Sequence, residues 1–297
     1  ADPEAELIGE PEPETAPAPE DPKGFKPGEW TSKTVAEHRA ILLEQMKAGQ
    51  PESLHKYYER SLDKTLKGMK SIHTNGEITV VDYMGLTGKQ MQMALSDVEL
   101  ARAVLPGAGD TTIKILTEAG FKKWYGRGWS EEIGGACKMA QPSNGGNPEV
   151  ALYGASYKKP ITVAEELKAS VYRQYERHYS RTHAQSIWEG MAESAFEKQM
   201  QGEPHWSTPP DTRGSFHTTI HEFGHATDFS RVDPAWDAKS LAIYEEGMKN
   251  GTMPSGYSKD SHREAYAESF AQWVQTRGAS TNPVVMKYAE TFGWRKP

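Results

Sequence analysis

Cysteine is almost missing from this 297-residue chain, where Cys137 stands alone. No internal disulfide can form, and one unpaired thiol does not separate a cytosolic protein from a secreted bacterial one. Long apolar runs are missing too. Eighteen consecutive apolar residues occur nowhere, which excludes a membrane-spanning helix, and no basic segment leads into an apolar stretch at the amino terminus to mark an intact signal peptide. The chain also lacks an excess of positive charge. Its formal net charge is -7, and residues 1 to 22 alone contribute eight acids unopposed by Lys or Arg, so the rest of the chain carries +1. A near-neutral body offers no electrostatic case for nucleic acid.

What is present is enough to build a core. Hydrophobic residues make up 36% of the chain, enough for one large or two modest domains. Residues 1 to 28 are rich in Pro, Glu and Ala with little to bury, and read as a disordered acidic tail. The body then runs from 29 to 297, with a helical amino-terminal part and a possible subdivision near residue 70.

Apolar spacing of three and four from Thr31 to Met69 predicts a helical hairpin, and Thr87 to Leu105 returns to the same period. Between and after them, Glu77 to Tyr83, Ile113 to Leu116, Glu132 to Met139 and Glu149 to Tyr153 read as strands. The last two flank the turn-rich stretch from Gln141 to Pro148, which suits a hairpin. Val163 to Met200 reads as one long helix or two. The expected class is α+β, mostly helical with a small, mainly antiparallel sheet.

Chemistry concentrates in residues 215 to 229, which read Ser-Phe-His-Thr-Thr-Ile-His-Glu-Phe-Gly-His-Ala-Thr-Asp-Phe. His221 and His225 lie one helical turn apart on one side, a spacing that lets two imidazoles grip one zinc ion. Glu222 follows about 100° round the helix, where it can take a proton from a metal-activated water. Phe216, Ile220, Phe223 and Thr227 form a separate side for the core, which puts the histidines at the edge of the buried face. Gly224 is costly inside an ordinary helix and makes sense where another element must come close. His217 reads as a helix-start residue or a partner of the ligands. Asp228 is either a partner behind the ligands or a solvated acid.

A catalytic zinc needs three protein ligands and one open position. The extended motif that would place Gly at 228 and His at 231 is excluded, because Asp228 and Arg231 stand there. Residues 261 to 277 offer Glu264 and Glu268 at the border of an apolar helical stripe. Two readings of Glu264 stand side by side. It is the third zinc ligand, or, in Ser261-His-Arg-Glu264, the far half of a capping box.

Taken together, His221-Glu-Phe-Gly-His225-Ala, then Tyr257, then Glu264-Ala-Tyr-Ala-Glu268-Ser-Phe resemble the catalytic domain of the anthrax lethal factor family, toxin-type metallopeptidases of the gluzincin kind. The resemblance covers residues 215 to 275. It implies a zincin-like fold, zinc held by His221, His225 and Glu264, Glu222 as general base, and Tyr257 as stabiliser of the transition state. It also implies that Glu268 orients a ligand histidine. The expected activity is hydrolysis of a protein or peptide by a secreted, toxin-like or effector enzyme, with cytosolic and virion-associated settings open. Two other functions remain. One is an interaction module stapled by zinc without turnover, and the other a zinc hydrolase of a non-peptide amide. Gly107-Ala-Gly-Asp110 lacks the lysine and the preceding strand of a phosphate loop and reads as a turn.

Overall fold

The computed structural model describes residues 30–105, 111–126, 134–138, 147–229 and 233–297. The acidic tail, the Gly107–Asp110 turn, the turn proposed at 141–146 and Arg231 lie outside the described residues.

The chain is α+β, mostly helical with a small mixed sheet. It begins with a short strand, β1 (Thr31–Lys33), followed by the expected helical hairpin, α1 (Val35–Lys47) and α2 (His55–Leu66). Thr34 starts α1 through a capping box with Glu37. β1 corrects the reading of a helix from Thr31 on. Three residues before a cap are too few to show a period, and they pair with β2 (Ser71–Thr74), which the sequence also hid.

β3 (Ile78–Asp82) and α3 (Gly88–Val104) fall where the periodicity put them, and Thr87 with Gln90 caps α3. β4 (Thr111–Leu116) then pairs with β3 in parallel. After α4 (Glu118–Tyr125) come β5 (Gly135–Lys138) and β6 (Glu149–Tyr153), an antiparallel pair as expected. β6 inserts beside β4, again in parallel, so the strand order is β1-β2-β3-β4-β6-β5. The sheet is therefore mixed, with three of its five pairings antiparallel, as expected for the majority, and the two central ones parallel. Parallel neighbours need crossovers, and α3 and α4 supply them.

The sheet separates its faces by alternation. Ile78, Val80, Ile113, Ile115, Val150 and Leu152 point into the main core with α3. Leu116 and Ala151 join Phe121 of α4 on the opposite face.

α5 (Ala155–Lys158) leads to α6 (Val163–Tyr179) and α7 (Gln185–Gln201), so the long polar segment is two helices. They pack through Leu167, Val171 and Ala192, with Trp206 against the same cluster. α8 (Gly214–Phe229), α9 (Pro234–Asn250), α10 (His262–Gln275) and α11 (Pro283–Phe292) complete the body. The start of α6 is tied to the start of α8 by Val163 N–H to the Thr212 carbonyl and Gly214 N–H to the Ile161 carbonyl, at 2.7 and 2.8 Å. α8 is enclosed by α3, α10, β5 and β6. Among the described residues no helix is long and apolar enough to cross a membrane.

Candidate metal centre

Close approach of α8 to α10 sets the geometry. A Cβ on Gly224 would lie 3.0 Å from the Cα of Ala267 and 3.3 Å from the Cβ of Phe270, so the bare glycine lets the two backbones meet. Phe223 and Phe270 flank this contact with ring centroids 6.3 Å apart. The expectation that histidines sit at the edge of a buried face needs correction, because α8 is buried nearly all round. His221 and His225 are only 5% and 7% exposed, since α10 covers the polar side as well.

That packing brings three ligand atoms to one point. His221 Nε2, His225 Nε2 and Glu264 Oε2 are mutually separated by 3.1, 3.1 and 3.2 Å. Ligands about 2.0–2.1 Å from a tetrahedral zinc would stand about 3.3 Å apart, so the three atoms present fit that ion with slight contraction. Glu264 makes half of the capping box and also faces the histidines. Its backbone N–H donates to Ser261 Oγ and starts α10, while its carboxylate turns to the histidines and leaves the reciprocal half of the capping box unmade.

Glu268 lies behind His221, with Oε1 2.8 Å from Nδ1. The carboxylate also accepts from Ser207 N–H at 2.6 Å and from Ser255 Oγ at 2.8 Å. A proton on His221 Nδ1 directs the Nε2 lone pair into the triangle. Burial disfavours an ionised Glu268, but His217, His221 and the Ser255 hydroxyl outweigh it and hold its pKa at about 2. For His221, burial opposes the charged ring, while the hydrogen bonds to Glu264 and Glu268 lift its pKa well above 6.5. The cage thus attracts positive charge.

His217 joins this network rather than the triangle. Its Nδ1 is 3.0 Å from Thr208 Oγ1 and its Nε2 3.5 Å from Glu268. Burial pulls its pKa down to about 4 and keeps the ring neutral. His217, His221 and Glu268 form a second trio of ligand type, fully buried. Its Glu268 oxygens are already met by N–H and O–H donors, whereas in the other trio the Glu264 side chain keeps 23% exposure.

Glu222 lines the same cleft, of about 530 Å³, beside His221 and Tyr257. Its carboxylate has no hydrogen bond or ion pair among the described residues, and burial raises its pKa. β5 presses against it, for a Cβ on Gly135 would fall 2.7 Å from Glu222 Cγ. Tyr257 opens a short 3-10 turn, its ring centroid 5.7 Å from that of His221. Its N–H donates to the His205 carbonyl at 3.0 Å, and burial together with nearby Glu264 and Glu222 raises its pKa, so the phenol keeps its proton.

Asp228 is not brought to the ligands. Its Oδ1 accepts from Trp236 Nε1 at 2.9 Å, and among the described residues it bonds neither histidine. His225 Nδ1 is buried without a hydrogen-bond partner. Ser207, Thr208 and Ser255 were invisible to sequence reasoning, since they reach the site from loops without period or motif. No family model, curated protein or solved structure matches the chain.

Proposed function

We propose that this chain is a zinc-dependent endopeptidase with a zincin-like arrangement of the lethal-factor type, in which His221, His225 and Glu264 hold the metal. Two features together carry the reading. Glu222, Glu264 and Glu268 are buried or half-buried carboxylates at one site with no Lys or Arg paired to any of them, and Glu222 has no hydrogen bond or ion pair, among the described residues. Enclosing carboxylates is costly unless a cation meets them. A structural staple would have no use for the free one.

Zinc in such a site supplies Lewis acidity to a carbonyl and acidity to a water. The chain's own groups do the rest. Glu222, made more basic by burial, takes a proton from the attacking water and returns it to the leaving amine. Tyr257 stays protonated and donates to the oxygen on which charge builds, a role worth about 2.7–4 kcal/mol where such donors have been removed. Glu268 keeps His221 in one tautomer and orientation. The outer edge of β5, beside Glu222 and with no strand beyond it among the described residues, suits an extended peptide whose main chain would be fixed by ladder hydrogen bonds. A secreted, toxin-like role belongs to the same reading through the resemblance.

The test is digestion of a proteome-derived peptide library by chain reconstituted with one equivalent of zinc, with a chelator control. Cleavage that disappears with chelation and returns with zinc supports the proposal. Zinc uptake at one per chain with no cleaved peptide overturns it in favour of a zinc-stapled interaction module.

A further inference from the structure

α6 forms a wall of the cleft that also holds His217 and His221, and three of the residues it turns inward are polar or charged. Glu166, Ser170 and Arg173, at steps of four and three, line the cavity with Lys159 just before the helix. The apolar residues of α6, Val163, Leu167 and Val171, are buried, and Leu167 both packs towards α7 and lines the cavity. Arg173 is the anomaly of this wall. The side chain is half-buried, its Nε is buried without a hydrogen-bond partner, and its guanidinium makes no hydrogen bond or ion pair among the described residues. An arginine carries five N–H donors and cannot shed its charge, so a buried donor left unmatched at the wall of a cleft is costly.

Glu166 does not serve as its partner. The Glu166 carboxylate lies against Gly214 at the start of α8, where an added Cβ would meet it at 2.1–2.4 Å. Burial raises its pKa to about 7, with Arg173 opposing, so near neutral pH only about half of it is ionised and it offsets the arginine's charge in part. Cleft, cation and missing anion form one arrangement.

We propose that Arg173 is a specificity-determining residue that receives a substrate carboxylate, so that the cleft selects peptides presenting an acidic group to the α6 wall. This rests on the peptidase reading of the same cleft and names its substrate class. Arg173 suits the task because its planar fork takes a carboxylate through two parallel hydrogen bonds, and Lys159 adds a second positive charge. The carboxylate has two sources, an Asp or Glu side chain or a free peptide carboxy terminus.

Binding separates this inference from catalysis. The full chain carrying Glu222→Gln, with zinc, is incubated with three randomised octapeptide pools. One is amidated and contains Asp and Glu, one has free carboxy termini but no Asp or Glu, and one is amidated and free of acids. Retained peptides are then sequenced. Enrichment of the first pool over the third identifies the side chain as the source, and enrichment of the second identifies the terminus. Adding Arg173→Met should weaken the best retained acidic peptide about 30-fold or more, the loss expected when one partner of an enclosed charge pair is removed. Arg173→Lys should recover part of it.

Equal retention of all three pools, or no retention, overturns the inference, as does an acidic preference that survives Arg173→Met. If Arg173→Met does not fold, the pool comparison on the Glu222→Gln chain and the Arg173→Lys variant still decide. Acid-selective binding by a chain whose native form cleaves nothing would uphold this site and sink the peptidase reading. Cleavage without acid preference would do the reverse.

Discussion

Glu222 and Glu268 are both enclosed carboxylates, and their surroundings give them opposite properties. Glu268 is met by a histidine ring, a backbone N–H and a serine hydroxyl, so it stays ionised and fixed. Glu222 receives no donor, so burial raises its pKa and leaves it able to gain a proton. Replacing Glu222 by Gln should therefore leave zinc content and melting temperature nearly unchanged while turnover falls about 10²- to 10⁴-fold. Metal analysis and peptide cleavage on the same sample check this, and a parallel loss of zinc would make Glu222 a ligand instead. Glu166 supports a separate prediction about pH. Its pKa is about 7 in the fold against 4.5 for a solvated glutamate, so the folded chain binds the extra proton between those values. The stability it lends is complete below about pH 4.5 and disappears as pH rises through 7, with a slope of at most about 1.4 kcal/mol per unit. Urea unfolding from pH 4.5 to 8 should show a shallower decline for Glu166→Gln than for the native chain. Matching slopes would mean that Glu166 is as well solvated folded as unfolded.

At the scale of elements, the centre depends on how near α8 and α10 can come. Two helical glycines give a controlled comparison. Gly190 in α7 has nothing within 4 Å of an added Cβ, whereas Gly224 has the α10 backbone at 3.0 Å. Gly190→Ala should stabilise the chain by about 0.5–1 kcal/mol through helix propensity alone. Gly224→Ala gains the same propensity, but overpacking costs about 1–3 kcal/mol and pushes apart the helices that carry His225 and Glu264. Zinc affinity should then fall by about tenfold or more, and thermal melts with a competitive zinc indicator would measure both effects. If Gly224→Ala bound zinc normally, the close approach would be incidental to the site.

The same elements show what the sequence could and could not disclose. Capped, periodic helices such as α3 and the capped start of α10 were legible, because the signals for them are local. His221, Glu222 and His225 were legible for the same reason, being fixed by helical spacing alone. β1, β2 and α4 were not, since three- to eight-residue elements owe their existence to partners far along the chain. Ser207 and Ser255 meet Glu268 across separations of 61 and 13 residues, and no local pattern records such meetings. Helical register showed the side of α8 on which Asp228 lies but not that Trp236 would donate to it from α9.

For the whole molecule, the site is a junction. The triangle joins α8 to α10, and Glu268 extends the junction to Ser207 and Ser255, while Tyr257 is anchored to His205. A ligand that binds only the folded chain adds stability by mass action, about 2.7 kcal/mol at a free concentration 100 times Kd. Zinc should thus raise the melting temperature of the native chain and leave that of Glu264→Ala almost unmoved. The gain should not be shared evenly. The α1–α2 hairpin is weakly seated, with no buried residue in α1 and only Leu62 and Leu66 buried in α2, and it makes no contact with the triangle. Its amides should exchange through local openings that never disturb the site. Hydrogen exchange with and without zinc should accordingly slow in α8, in α10 and around residues 204–208 and 255–258, with α1 and α2 unchanged. Equal slowing in α1 would show that the hairpin opens only with the body, and no slowing anywhere would show that His221, His225 and Glu264 hold no metal.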